Sequence, residues 1–349
     1  SHGIRSSLDG AGSAIRTDVA RFFQETPSLA SGMASELLLP PMPDEAAYRA
    51  LHGDPAPWLP AIAAICGRHG LDAGEAYMPP GGTNVVFHVR GGPWIKMFPP
   101  LWPEDFVRER TGIAATTGIE GLDVPQLVAD GEIEGWPYLV LSHVEGRAIG
   151  TVWPDLDVAA RTDVAHQMGA LLARLHQADI TACDPIREDW PTYARALRAD
   201  AATRQAGYGL DPAWVADLEA FIEALPPMDD GREVFLHADV TDEHVYLAER
   251  DGRWTVTGLI DFGDAMVGDW RYDFAAPLVF MAQGQPSVQR ALLEGYGLPR
   301  EALDAEFGRI LVAWTYLHRW GRIASYARFA RDTTPETLAA LTASIWSSA

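Results

Sequence analysis

Three side chains have the type and setting to do chemistry. The run P-W-I-K-M-F at 93–98 contains Lys96, the only lysine in the chain; lysine and arginine together number 27, and all the others are arginine. Lysine is a compact point charge on a flexible stem, whereas arginine is a broad planar fork. A coding bias can turn solvated lysines into arginines at little cost, but not where a narrow pocket needs one ammonium. Lys96 is therefore either a site residue or a strand-edge charge retained by chance. Further along, F-L-H-A-D-V-T-D-E-H-V-Y-L (235–247) and G-L-I-D-F-G-D-A (258–265) place Asp239 and Asp261 each just after a short apolar segment. Polar turns at the ends of apolar strands are where a scaffold displays catalytic groups.

The frame for these groups is a chain of 349 residues, long enough for two lobes or domains. Hydrophobic residues at 48% and charged residues at 21% fit a water-soluble globular protein. No apolar run approaches the roughly 18–20 residues that a membrane helix needs. The first 23 residues lack the apolar stretch of a signal peptide. Two cysteines, Cys66 and Cys183, are too few for a disulfide framework or a zinc site. These features predict a cytoplasmic protein with no membrane partner. The net charge of −21 argues against nucleic acid as a partner, because phosphate binding needs a basic surface. It permits a cationic substrate, although an acidic surface also serves solubility alone.

Residues 1–50 read as a helical extension, with short helices at 17–23 and 35–39 and a break at P-P-M-P-D (40–44). A helix over 60–69 begins with proline in its first turn and ends at Gly70. Strand patterns then dominate to about 145. N-V-V-F-H-V-R and P-W-I-K-M-F read as two strands joined by Gly91-Gly92. A helix follows over 104–115, and then V-P-Q-L-V-A-D and W-P-Y-L-V-L-S as further strands. After Gly146 the chain turns helical, with Val164, Met168, Leu171, Leu172 and Leu175 at helical spacing. Short strands at 234–236, 245–247 and 256–260 interrupt it around the two acidic motifs, and helices resume over 286–349. The predicted domains are an extension at 1–50, a small lobe at 51–145 and a larger lobe at 146–349, with a connector near 142–146. The fold class is α+β and two-lobed, a small antiparallel sheet with one key helix set against a mostly helical lobe.

Lys96, Asp239 and D-F-G at 261–263 occur in the order of a eukaryotic-like kinase. With G-G-T-N-V-V-F-H-V (81–89), R-E (108–109), Y-L-V-L-S-H-V-E-G-R (138–147), L-L-A-R-L-H (171–176), H-A-D (237–239), I-D-F-G-D (260–264) and G-D-W-R-Y-D (268–273), the chain resembles the aminoglycoside phosphotransferase family of the protein-kinase-like superfamily. The resemblance implies that Lys96 contacts nucleotide phosphates and that Glu109 pairs with Lys96. It implies that Gly81, Gly82, Thr83 and Asn84 form a loop over the phosphates, and that the backbone of Ser142, His143 and Val144 binds the base. Asp239 would accept or orient the proton of a substrate hydroxyl, and Asp261 would bind magnesium. His237, Asp269 and Asp273 would be structural; Asp264 would lie near the metal or face solvent.

One position departs from the family pattern. Asparagine, as the second metal ligand, is expected five residues after the catalytic aspartate, and this chain has His244 there. Imidazole suits zinc or other transition metals better than magnesium. Either His244 ligates the metal through a neutral ring nitrogen, or it has turned away and Asp242 or Glu243 replaces it, or catalysis has been lost.

The implied reaction moves the γ-phosphate of ATP or GTP to a hydroxyl of a small-molecule antibiotic of aminoglycoside, nucleoside or macrolide type, conferring resistance, in a monomer or homodimer. The lack of an A-P-E element disfavours a protein substrate. Trp314, Tyr316, Trp320, Tyr326 and Phe329 either stack on a substrate or pack the core, and Arg319, Arg322 and Arg328 disfavour a polycation there. The alternatives are a metabolic kinase of choline, thiosugar or homoserine type, and a non-catalytic pseudokinase.

Overall fold

A computed structural model describes residues 37–228, 231–329 and 335–346. The helix expected at 17–23 lies outside the described residues, as does the start of the one expected at 35–39; residues 37–39 are not helical. Strands β1 (Ala76–Tyr77), β2 (Val85–Val89), β3 (Trp94–Met97), β4 (Leu127–Ile133) and β5 (Trp136–Leu141) form one antiparallel sheet in the order β1-β2-β3-β5-β4. Gly91, at φ 70°, turns the chain between β2 and β3 in a conformation that other residues rarely adopt.

Strand alternation sorts the side chains of this sheet into two cores. Val85 and Phe87 of β2, Ile95 and Met97 of β3, and Tyr138 and Val140 of β5 face one core. That core is closed by Ile62 and Ile65 of helix α2 (Leu59–His69) and by Tyr48 of α1 (Glu45–Leu51). Leu39 and Tyr48 are buried there, so residues 37–51 are part of the lobe's own packing. The other face of β5 presents Leu139 and Leu141, which join Phe106 and Ile113 of α3 (Pro103–Thr116) in a larger core that runs on into the second lobe. The unbroken apolar run W-P-Y-L-V-L follows from burial on both faces.

In the second lobe, β6 (Arg147–Ala148), β8 (Val245–Arg250) and β9 (Arg253–Leu259) form one antiparallel sheet, and β7 (Glu233–Leu236) pairs with β10 (Met266–Asp269). Around them pack α4 (Val158–Leu175), α5 (Trp190–Gly207), α6 (Pro212–Glu223), α7 (Pro286–Tyr296), α8 (Ala305–Leu317) and α9 (Leu338–Ile345). Asp157 caps α4 by accepting from the Ala160 amide at 2.8 Å, and the stripe Val164, Met168, Leu171, Leu172, Leu175 is buried. The architecture is thus the expected α+β pair of lobes. Among the described residues no helix is long and apolar enough to cross a membrane.

Candidate active site

Lys96 sits in the middle of β3, paired across the sheet with Val86 on one side and Leu139 on the other. Its ammonium donates to Glu109 Oε2 of α3 at 2.8 Å and to Asp261 Oδ1 at 2.8 Å. Glu109 is almost completely buried and Asp261 is the most exposed of the three. Burial works against the Lys96 charge, but Asp261 and Glu109 outweigh it and hold the ammonium well above its ordinary pKa. One ammonium cannot fully compensate two carboxylates. Burial pushes Glu109 up to about 7, with Lys96 opposing and Asp261 adding to the rise. Asp261 goes the other way: burial raises it, but Lys96 and His244 hold it below the usual carboxylate range.

Two contacts fix α3 against the D-F-G turn. Arg108 donates to the carbonyl of Ala265 at 2.8 Å and to Glu188 Oε1 at 2.5 Å. Gly112 leaves room for Phe262, whose Cβ stands 2.7 Å from where a side-chain carbon on Gly112 would be. Asp261 itself adopts φ 67°, a left-handed conformation that costs a non-glycine residue about 1–2 kcal/mol and is held only by its surroundings.

The loop carrying Asp239 is braced from several elements. The amides of His237 and Ala238 donate to the two oxygens of Asp273, at 3.0 and 2.7 Å. His176 Nε2 lies 3.1 Å from the same carboxylate. His237 Nε2 donates to the Ile260 carbonyl at 2.9 Å, and its Nδ1 accepts from the Asp239 amide at 3.3 Å, so one ring ties the two acidic loops together. Burial, with His244 nearby, lowers the pKa of His237 to about 4, which keeps the ring neutral. Burial pushes the Asp239 carboxyl up to about 7; His244 opposes this, while Asp264 and Asp261 add to it.

His244 stands between the two aspartates. Its Nδ1 lies 2.7 Å from the Asp239 carbonyl oxygen and 3.1 Å from Thr241 Oγ1, and its Nε2 lies 3.8 Å from Asp261 Oδ2. Asp242 instead lies against Gly150, and Glu243 is exposed. Asp264 accepts from Arg319 at 2.5 Å and from Trp320 Nε1 at 2.9 Å. Asp269 caps the turn after it through the Arg271 amide, at 2.9 Å.

The remaining expected residues lie on the loop before β2 and on the connector after β5. Gly81 and Gly82 have φ 96° and 82° and are exposed with Thr83, while Asn84 is buried. The loop runs straight into β2, where Val86 faces Lys96. In the connector, the Ser142 amide already donates to the Gln126 carbonyl at 2.9 Å; His143 is exposed and Val144 buried. Of the late aromatics, Trp314, Tyr316 and Tyr326 are core, Phe329 packs on Phe280, and Trp320 alone reaches the acidic site.

Sequence reasoning missed four participants. Trp94, two residues before Lys96, stacks on His88 at 4.2 Å and donates to His143 Nδ1 of the connector at 3.1 Å. The period-two rule places it on the face of Lys96 and was the available signal. Tyr48 donates to the Thr83 carbonyl at 2.7 Å, Arg108 bridges the lobes, and His318 donates to the Ala238 carbonyl at 2.9 Å. Tyr48 and His318 have no local sequence signal, and the R-E motif that contains Arg108 gave that residue no role.

The pattern of the phosphotransferase enzyme family matches residues 79–308, about two thirds of the chain. The chain is 24% identical to viomycin phosphotransferase of Streptomyces vinaceus over 192 residues, 52% of this chain and 64% of that one. It is 25% identical to an aminoglycoside 3'-phosphotransferase of Escherichia coli over 188 residues, 51% of this chain and 65% of that one. A lysine-specific demethylase of Arabidopsis thaliana is 21% identical over 204 residues, 47% of this chain and 22% of that much longer protein. The chain thus spans under two thirds of each of these relatives. Among solved structures, the GDP complex of aminoglycoside 2'-phosphotransferase-IIIa superposes with a TM-score of 0.63 at 18% identity, covering 76% of this chain and 89% of that one. A lysine between two carboxylates, a braced aspartate loop and a family pattern spanning both lobes converge: the chain belongs to the phosphotransferase enzyme family.

Proposed function

We propose that the protein transfers the terminal phosphoryl group of ATP or GTP to a hydroxyl of a small molecule, an antibiotic of aminoglycoside, nucleoside or macrolide type. The observation that carries this reading is the Lys96 ammonium held at 2.8 Å from both Glu109 and Asp261, with His244 standing between Asp261 and Asp239. Phosphoryl transfer needs positioning and charge stabilisation more than a strong base. Lys96 supplies a fixed positive charge for nucleotide phosphates, and Glu109 keeps it in place. Asp239, with a proton affinity raised toward neutrality, is suited to accept or orient a hydroxyl proton. Gly81 to Asn84 cover the phosphates; the buried Asn84 Oδ1 has no hydrogen-bond partner among the described residues, as expected of a group that meets a ligand. With the Ser142 amide engaged, base recognition falls to the backbone of His143 and Val144, beside Trp94.

A divalent cation, magnesium in the first instance, fits the donor set: Asp261 offers a carboxylate and His244 a ring nitrogen on the same side. When bound it neutralises phosphate charge. The substrate class draws on the relatives, one a viomycin and another an aminoglycoside phosphotransferase. Arg319 is neutralised by Asp264, which leaves the acidic balance of the chain open to a cationic antibiotic. The test is mass spectrometry of a panel of aminoglycosides, macrolides, nucleoside antibiotics and viomycin, incubated with the protein, magnesium, and ATP or GTP. A gain of one phosphoryl mass on one compound is expected. No gain together with no nucleotide binding overturns the reading.

A further inference from the structure

We propose that His244 is a nitrogen ligand of the divalent cation held with Asp261, and that it tunes this site toward a first-row transition dication over magnesium. The inference rests on the phosphotransferase reading above. It begins with which ring nitrogen carries the proton. His244 Nδ1 lies 2.7 Å from the carbonyl oxygen of Asp239. A carbonyl only accepts, so Nδ1 is the donor, and in the neutral ring the lone pair is left on Nε2.

That lone pair faces Asp261 Oδ2 across 3.8 Å. The gap is too wide for a hydrogen bond. Adjacent ligands of an octahedron with bonds of about 2.1 Å stand about 3 Å apart, so sharing one cation would draw the two atoms together by somewhat under 1 Å. The other oxygen of Asp261 is held by Lys96, so Oδ2 is the one left toward the imidazole. A backbone carbonyl holding the far nitrogen is the arrangement that orients metal-bound histidines and raises their basicity. No rival acid takes the position, since Asp242 lies against Gly150 and Glu243 is exposed. Among the described residues no group of three or more histidine, cysteine or acidic side chains surrounds a cation position, so the other ligands come from nucleotide phosphates and water. Replacing an oxygen donor by imidazole favours cobalt or zinc relative to magnesium.

The experiment uses the whole protein with ADP and manganese, read by electron spin-echo modulation. Histidine nitrogen coupling is expected in the wild type, with a changed pattern when the protein carries 15N-labelled histidine, and no such coupling in His244→Asn. In parallel, calorimetry with ADP is expected to give a cobalt-to-magnesium affinity ratio at least about tenfold higher in the wild type than in His244→Asn. Manganese and ADP bound without histidine coupling overturns the inference and leaves the kinase reading standing. Equal affinity ratios in the two proteins overturn it too. No binding of ADP with any of the cations overturns the inference and the kinase reading together.

Discussion

The carbonyl oxygen of Ala238 accepts a hydrogen bond from His318 Nε2 at 2.9 Å, although 80 residues separate them. On its other side, the Ala238 amide donates to Asp273 Oδ1 at 2.7 Å. Ala238 has φ 63°, a conformation that costs an alanine about 1–2 kcal/mol. Such a conformation persists only where the surroundings over-determine it. The two bonds fix the peptide planes on both sides of the residue before Asp239. His318 and Asp273 therefore act as positioning residues for the loop that carries the proposed proton acceptor.

His318 performs this role as a neutral ring. Burial lowers its pKa from 6.5 to about 4, with the Ala238 bond opposing. Below pH 6.5 the unfolded chain takes up a proton at this residue and the folded protein does not. Stability from this group is therefore full above pH 6.5 and is lost as pH falls toward 4. The loss reaches about 3 kcal/mol at the low end. His318→Gln keeps a donor for Ala238 without a titrating ring. Chemical denaturation of both proteins at pH 7.5 and 4.5 is expected to show the smaller acid loss in the variant. Equal losses would mean that His318 is not held neutral.

Lys96→Arg tests the lone lysine. The guanidinium keeps the charge but cannot place one point donor between Glu109 and Asp261, which both stand 2.8 Å from the ammonium. The variant is expected to fold and to transfer phosphate at least about 100-fold more slowly, the usual scale for losing one preorganised charge contact. Wild-type turnover in the variant would make the single lysine an accident of coding.

Much of this arrangement was readable from the chain. The run containing Lys96, the two acidic motifs and the stripe from Val164 to Leu175 all carry their information within a few residues, as strand ends or helical spacing. The apolar run of β5 was readable as a strand, but not its division of Tyr138 and Val140 from Leu139 and Leu141 between two cores. What was unreadable joins distant positions. Nothing near His318 announces Ala238, and nothing near Asp269 announces that its strand pairs with Glu233. Strands of two residues, such as β1 and β6, are too short to carry a periodic signal. Trp94 is a different case: its spacing from Lys96 was visible, but a tryptophan in an apolar run reads equally well as core.

Tyr48→Phe probes the link between residues 37–51 and the glycine loop. The Tyr48 hydroxyl donates to the Thr83 carbonyl at 2.7 Å, while its ring packs with Trp58, Trp102 and Trp136. Phenylalanine keeps the packing and removes the bond, so stability falls by only about 1 kcal/mol. The released loop is expected to weaken ADP binding several-fold, measured by calorimetry. Unchanged affinity would mean that the loop holds its shape without the N-terminal segment.

Gly112→Ala separates helix propensity from packing, because the two predict opposite signs. In an exposed helix interior this change adds about 0.5–1 kcal/mol of stability. At position 112 the new methyl would stand 2.7 Å from Phe262 Cβ and 3.1 Å from its ring, and Phe262 is fully buried. Neither partner is the free end of a flexible chain, so α3 or the D-F-G turn must shift. Overpacking of this kind costs about 1–3 kcal/mol and outweighs the propensity gain. A net loss in thermal stability is expected. Turnover should fall further than stability alone explains, since a displaced α3 carries Glu109 away from Lys96. Nucleotide affinity should fall less, because the glycine loop and connector lie on other elements. An increase in melting temperature for Gly112→Ala would mean that α3 and Phe262 are not in contact, and that Glu109 is held by something other than this packing.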